Sequence, residues 1–272
     1  MFAKLLKHEF KATAGMLGIL CAACLGFGLL GGGAIRYLAW AEETGPYNDD
    51  GLLTILSVLI CVTAVIVIAA CSIILLLLLV NRFYKSRFTD EGYLTFTLPV
   101  NGHQILMTTV ITGVVEMVAI SLAVAVSILL MGFVGISGLE GFWEEFPAGV
   151  ARFFEMLREA IDVSVVGYVL LGILVALSGL VGECCVIMLS VSLGALVAKK
   201  HKILLALLFY YLIHMAISVL SVGGLASLSF GVAMESMSYS MVLLTTALGW
   251  LAIGAACYFP THYLITRRLN LP

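Results

Sequence analysis

Charge is what this chain has least of. Of its 272 residues, 11% are Asp, Glu, Lys or Arg, where soluble domains carry about a quarter. Apolar residues make up 62%, and the mean hydropathy is +1.15. This balance excludes a water-soluble globular fold and leaves no room for a second, soluble domain. A nucleotide-cradling motif is also missing: no G-x-x-x-x-G-K-[ST] occurs anywhere, so the chain is not expected to be an enzyme that hydrolyses ATP by itself. External cysteines are absent too. All seven (Cys21, Cys24, Cys61, Cys71, Cys184, Cys185 and Cys257) fall within apolar runs, where free thiols act as small apolar residues. Cys21-x-x-Cys24 has no second Cys pair or neighbouring His to complete a metal or redox site. His8-Glu9 opens an H-E-x-x-H pattern, but Ala12 stands where the second His is needed. No metal and no cofactor is expected in this chain.

What is present is apolar length. Six runs, at about residues 15–38, 52–80, 105–136, 163–197, 203–229 and 241–264, exceed the roughly 18 residues that span a bilayer. In hydrocarbon every backbone polar group needs an internal partner, so these runs are predicted to be helices. The fold class is all-α membrane protein, one domain over residues 1–272. The first run is too long for a signal-peptide core, and Arg36 and Trp40 follow Gly31-Gly32-Gly33 where a small-residue cleavage site belongs.

Basic residues set the orientation. Lys4, Lys7 and Lys11 precede the first run. Arg82, Lys85 and Arg87 follow the second, Lys199, Lys200 and Lys202 follow the fourth, and Arg267 and Arg268 follow the sixth. These are eleven of the fourteen Lys and Arg residues, and Arg36, Arg152 and Arg158 fall on the other side. The other side also collects Glu42, Glu43, Asp49, Asp50, Glu144 and Glu145. The positive-inside rule places both termini and the 81–104 connection in the cytoplasm.

Two segments outside the runs are amphipathic. Within residues 1–13, Phe2, Leu5, Leu6 and Phe10 share one helical face, and Lys4, Lys7, His8 and Lys11 fill the other. This predicts a helix lying on anionic lipid. In the external 137–162 segment, Val150, Phe153, Phe154, Leu157 and Ile161 recur at helical spacing opposite Glu155, Arg158 and Glu159, with Pro147 expected at the first helical position.

The sharpest feature is a polar island, residues 81–104, between two of the longest apolar runs: NRFYKSRFTDEGYLTFTLPVNGHQ. Pro99 ends one segment, and Asn101 with Gln104 forms a capping pair for the third span. Tyr93, Leu94, Phe96 and Leu98 are too apolar for a merely solvated connection and predict a docking surface. The run Arg82-Phe83-Tyr84-Lys85, then Asp90-Glu91-Gly92-Tyr93-Leu94-Thr95-Phe96-Thr97-Leu98-Pro99-Val100, resembles the cytoplasmic loop of bacterial ABC-2-type transporter permeases. Ser192-Leu193-Gly194 leading into Lys199-Lys200-His201-Lys202, and the amphipathic N-terminus, resemble the same family.

The resemblance implies an ABC-2, or type V, exporter-like bundle of six spans with an N-terminal elbow helix, in the bacterial cytoplasmic membrane. It implies a dimer with a second copy or a homologous permease, and a separate ABC ATPase subunit that holds the ATP and Mg. The coupling contact would fall on Asp90, Glu91, Gly92, Tyr93, Leu94, Phe96 and Leu98. Export of hydrophobic or amphipathic cargo is implied. Membrane lipid is an expected partner and nucleic acid is not.

Ionisable residues inside spans are functional candidates because they are costly there. Glu116 and His214 lie roughly 16 Å from the cytoplasmic ends of the third and fifth spans, and Glu183 about 22 Å into the fourth. Glu116 shares a face with Thr109, Thr112, Gly113 and Ser127. Glu183 shares one with Gly172, Ala176, Gly179, Ser190 and Gly194, predicted as a close-packing surface, and His214 shares one with Tyr210, Ser218 and Ser221. They are candidates for a translocation path, for structural polar contacts, or for the proton relay of a secondary transporter. The family resemblance does not extend to these three positions. Gly135-Ile136-Ser137-Gly138 spells an intramembrane-protease motif, but Ser137 is external and His214 lies toward the cytoplasmic half, too far apart for a nucleophile and its base.

Overall fold

The computed structural model describes residues 2–43, 51–88, 101–160, 163–197, 202–231 and 239–267. Among these residues there are seven helices and no strand: α1 (Phe2–Glu43), α2 (Gly51–Phe88), α3 (Gly102–Ile136), α4 (Phe142–Ala160), α5 (Val163–Val197), α6 (Lys202–Gly231) and α7 (Tyr239–Arg267). All except α4 are long and apolar enough to cross a membrane. The chain is an all-α, multi-pass membrane protein, as its composition predicts.

Exposure along α2 shows which solvent the fold is built for. Leu52, Ile55, Leu59, Val62, Ile66, Ile73 and Leu77 are exposed at helical spacing, while Ala64, Ile68, Cys71, Leu75 and Leu79 are buried. Both faces are apolar. A contiguous apolar stripe of that length is unsustainable in water and is ordinary in lipid.

The helices gather into two compact units. One comprises Met1–Phe10, Leu77–Val114 and Ser164–Pro272, and the other Lys11–Leu76 and Val115–Val163. In the second unit α1 and α3 touch backbone to backbone. Ser127 Oγ donates to the Cys24 carbonyl at 2.8 Å, and a Cβ on Gly28 would sit 2.7 Å from the Ser127 carbonyl oxygen. Small residues allow this approach, which supplies the packing that holds helices together in lipid. In the first unit, Cys184, Val186, Ile187, Met188 and Val191 of α5 are buried, as are Ile105, Leu106 and Thr108 of α3 and Phe83 of α2, and Cys184 Sγ meets α3 at the Val110 carbonyl, 3.8 Å away. Gly182 lies against Trp250 of α7, and Gly194 against the backbone of Ala206 in α6. The expected small-residue surface of α5 is thus realised at Gly194, and Gly182, outside the predicted set, makes a second close approach. It is not realised at Gly172 or Gly179, where a Cβ would meet nothing within 4 Å.

Buried hydroxyls cost these helices little. Thr108 donates to Ile105 O at 2.8 Å, Ser192 to Met188 O at 2.8 Å, and Thr261 to Cys257 O at 2.7 Å. Each returns its proton to a carbonyl one turn back, so no polar group is left for lipid to meet.

Two boundaries differ from those predicted. The amphipathic segment at residues 1–13 is not a separate helix: α1 runs unbroken from Phe2 to Glu43. Its polarity changes near residue 13, but Thr13-Ala14-Gly15 contains no proline, and a lone glycine such as Gly15 is tolerated within a helix. Pro147 is not the first residue of α4, which begins at Phe142 and carries Pro147 inside. Gly141, at a φ of 75°, makes the reversal that a side chain would resist. Its carbonyl accepts from the Glu144 and Glu145 amides at 3.1 and 3.0 Å, starting the helix there. Asn101 occupies the predicted capping position before α3, its carbonyl accepting from Gln104 at 2.9 Å and Ile105 at 3.2 Å.

Candidate functional site

The predicted docking residues Asp90, Glu91, Gly92, Tyr93, Leu94, Phe96 and Leu98 lie outside the described residues. The structure does describe what leads into and out of that loop, and both ends are tied down within the first unit. On the α2 side, Arg82 forms an ion pair with the Glu9 carboxylate of α1 and donates to the Glu9 carbonyl at 3.1 Å. Arg87, the penultimate residue of α2, is 1% exposed. Its Nη2 donates to Thr109 Oγ1 at 2.9 Å and to Ile105 O at 3.4 Å, and it lies 3.9 Å from Glu9 Oε1. Its Nε is buried without a hydrogen-bond partner among the described residues.

On the α3 side, His103 stacks on His262 of α7, with ring centroids 3.6 Å apart and planes 10° from parallel. Its Nδ1 is 3.2 Å from Tyr258 Oη. The start of α1, the end of α2, the start of α3 and the end of α7 are therefore fastened around the point where the chain leaves for the loop. Sequence reasoning counted Arg82 and Arg87 as topological charges and Glu9 as half of a failed metal motif. The available signal was that Glu9 is the lone acid in a basic N-terminal segment.

A second polar constellation lies deeper in the first unit. Tyr210 and His214 sit one turn apart on α6 and face the same way, toward Glu183 of α5. Tyr210 Oη donates to Glu183 Oε1 at 2.5 Å. His214 Nε2 is 3.3 Å from the same oxygen; toward an ionised carboxylate, which only accepts, Nε2 would be the nitrogen that donates. The Tyr210 and His214 rings are 4.5 Å apart. Of the three intramembrane candidates, Glu183 and His214 are thus in contact. Glu116 belongs to the second unit, where it is 4% exposed among buried Met117 and Ile120 of its own helix.

Two other predicted features resolve in the second unit. Ser137 donates to Val134 O at 2.8 Å, so its hydroxyl serves the end of α3. The amphipathic helix α4 exposes Trp143, Phe153, Phe154 and Leu157, and beside it a cavity of about 490 Å³ is lined by Leu139, Glu140, Phe142, Glu145, Phe146 and Phe153. None of the seven cysteines forms a disulfide, and no group of three His, Cys, Asp or Glu among the described residues is placed to hold a metal. No family model, curated protein or solved structure matches the chain.

Proposed function

We propose that the chain is the membrane-spanning permease subunit of an ABC transporter in a bacterial cytoplasmic membrane, an exporter of hydrophobic or amphipathic cargo. A separate ATPase subunit supplies ATP hydrolysis and docks on the cytoplasmic loop of residues 81–104. A second copy or a homologous permease completes the dimer, and both termini are cytoplasmic. The observation that carries this reading is the fastening of both loop ends, by Glu9, Arg82 and Arg87 on one side and by His103 and His262 on the other. A loop that receives a push transmits it only if its roots are held by the helices that must move, and an ordinary solvated connection has no use for a buried arginine at its base.

The reading predicts an ATPase gene beside that of this chain, and is tested by co-expressing the two and measuring ATP hydrolysis in reconstituted vesicles. Glu91→Ala and Leu98→Ala are each expected to weaken ATPase docking by about 30-fold, the consequence of losing about 2 kcal/mol at an interface hot spot. Stimulation of ATP hydrolysis should fall with it while the permease still assembles. Full stimulation and full transport in both variants would remove the loop as the coupler.

The contact between Glu183 and His214 favours one second reading, a secondary transporter that relays protons through these two residues. It predicts uptake or efflux by the purified chain on a proton gradient with no ATPase present. The ABC reading predicts none.

A further inference from the structure

Glu183 is placed where a carboxylate is costly, and it is not fully covered. The Glu183 side chain is 22% exposed and that of His214 31%, on helices whose other exposed residues, such as Leu207, Tyr211 and Met215 on α6, are apolar. Tyr210 and His214 both reach the same oxygen, Oε1. Neither is a fixed cation. No Lys or Arg occurs in the runs 52–80, 105–136, 163–197, 203–229 or 241–264, and the run 15–38 holds one, Arg36, near its external end. An ionised Glu183 beside a neutral imidazole would give the constellation one negative charge, with a phenol ring adjacent and an apolar rim.

Carboxylates and aromatic faces together recognise organic cations, and the attraction grows when the site is dry. We propose that Glu183, flanked by Tyr210 and His214, binds the charged group of a hydrophobic organic cation carrying a single positive charge. The cation's apolar body lies along the exposed α6 surface around Leu207, Tyr211 and Met215. That the cation is cargo, and not a fixed ligand, rests on the permease reading above; the site itself does not.

The test uses two probes of the same shape and opposite charge, tetraphenylphosphonium and tetraphenylborate. They are added to the purified full-length chain in phosphatidylcholine nanodiscs, with empty nanodiscs subtracted. Phosphonium is expected to bind saturably and borate not to. Glu183→Gln keeps an oxygen for Tyr210 and His214 and removes the charge, so it is expected to weaken phosphonium binding at least about tenfold. Equal binding of the two probes, no saturable phosphonium binding, or undiminished binding by a monodisperse Glu183→Gln chain overturns the site. If that variant does not stay monodisperse, the comparison of the two probes on the native chain decides alone. Phosphonium that binds through Glu183 but is not moved when the ATPase complex is energised leaves the site standing and counts against the permease reading. ATP-driven transport without binding at Glu183 does the reverse.

Discussion

Gly194→Leu is expected to lower the apparent melting temperature of the purified chain by roughly 6–12 °C, whereas Gly172→Leu in the same helix should leave it within about 2 °C. Both changes put the same side chain into α5, so helix propensity and hydropathy change equally. They differ in what the new Cβ meets. At Gly194 it would lie 2.6 Å from the Ala206 amide nitrogen and 2.8 Å from its Cα. Those atoms belong to the α6 backbone and cannot rotate out of the way. The two helices must separate, with an overpacking cost of about 3 kcal/mol, and about 2–4 °C is lost per kcal/mol in a chain of this order of size. At Gly172 a Cβ meets nothing within 4 Å, so a leucine there has open space. Thermal scans of the two variants, read by size-exclusion recovery, check this. Equal losses at both positions would mean that α5 and α6 do not approach as described.

The contrast between those two glycines also shows where the sequence stops being informative. Six spans were legible because hydropathy acts on each helix separately, and the bilayer imposes a length that polar residues interrupt. Helix-to-helix contact is different, because in lipid it is set by packing between surfaces that are all apolar. Gly172, Gly179 and Gly194 look alike in sequence, and only Gly194 meets a neighbour. The meeting of Glu183 with His214 was hidden for the same reason. Counting from span ends separates their depths by about 6 Å, and the reach of the two side chains closes that gap to a 3.3 Å contact. The Tyr210–His214 pair, one turn apart on a single helix, needed no such information. The merged α1 was missed because a change of polarity at residue 13 was read as a change of structure. The start of α4 was missed because Pro147 outweighed Gly141 as a signal, although a proline pre-sets one dihedral while the glycine makes the reversal. Arg82 and Glu9 stand 73 residues apart, a separation at which no local pattern links two charges.

That ion pair gives the other large effect. Glu9→Gln, a change in one atom near the N-terminus, is expected to cost about 3–5 kcal/mol, the penalty for leaving a buried charge without its counter-ion. The reason is Arg87 more than Arg82. Arg82 is 23% exposed on its side chain and is solvated when released, but the Arg87 side chain is 2% exposed. Among the described residues its remaining contacts are a threonine hydroxyl and a backbone carbonyl, both neutral. Arg87→Met should by contrast cost little, because it removes the buried cation and leaves Glu9 paired with Arg82. The double variant Glu9→Gln with Arg87→Met should therefore recover most of the stability lost in Glu9→Gln alone. Chemical denaturation in a mild detergent, run as a double-mutant cycle, measures the coupling directly. Additive costs in the cycle would show that Glu9 does not serve as the counter-ion of Arg87. If the base of the loop is what transmits ATPase docking, Arg87→Met carries a second signature: a chain as stable as the native one whose stimulation of ATP hydrolysis is reduced. A merely structural arginine would leave that stimulation unchanged.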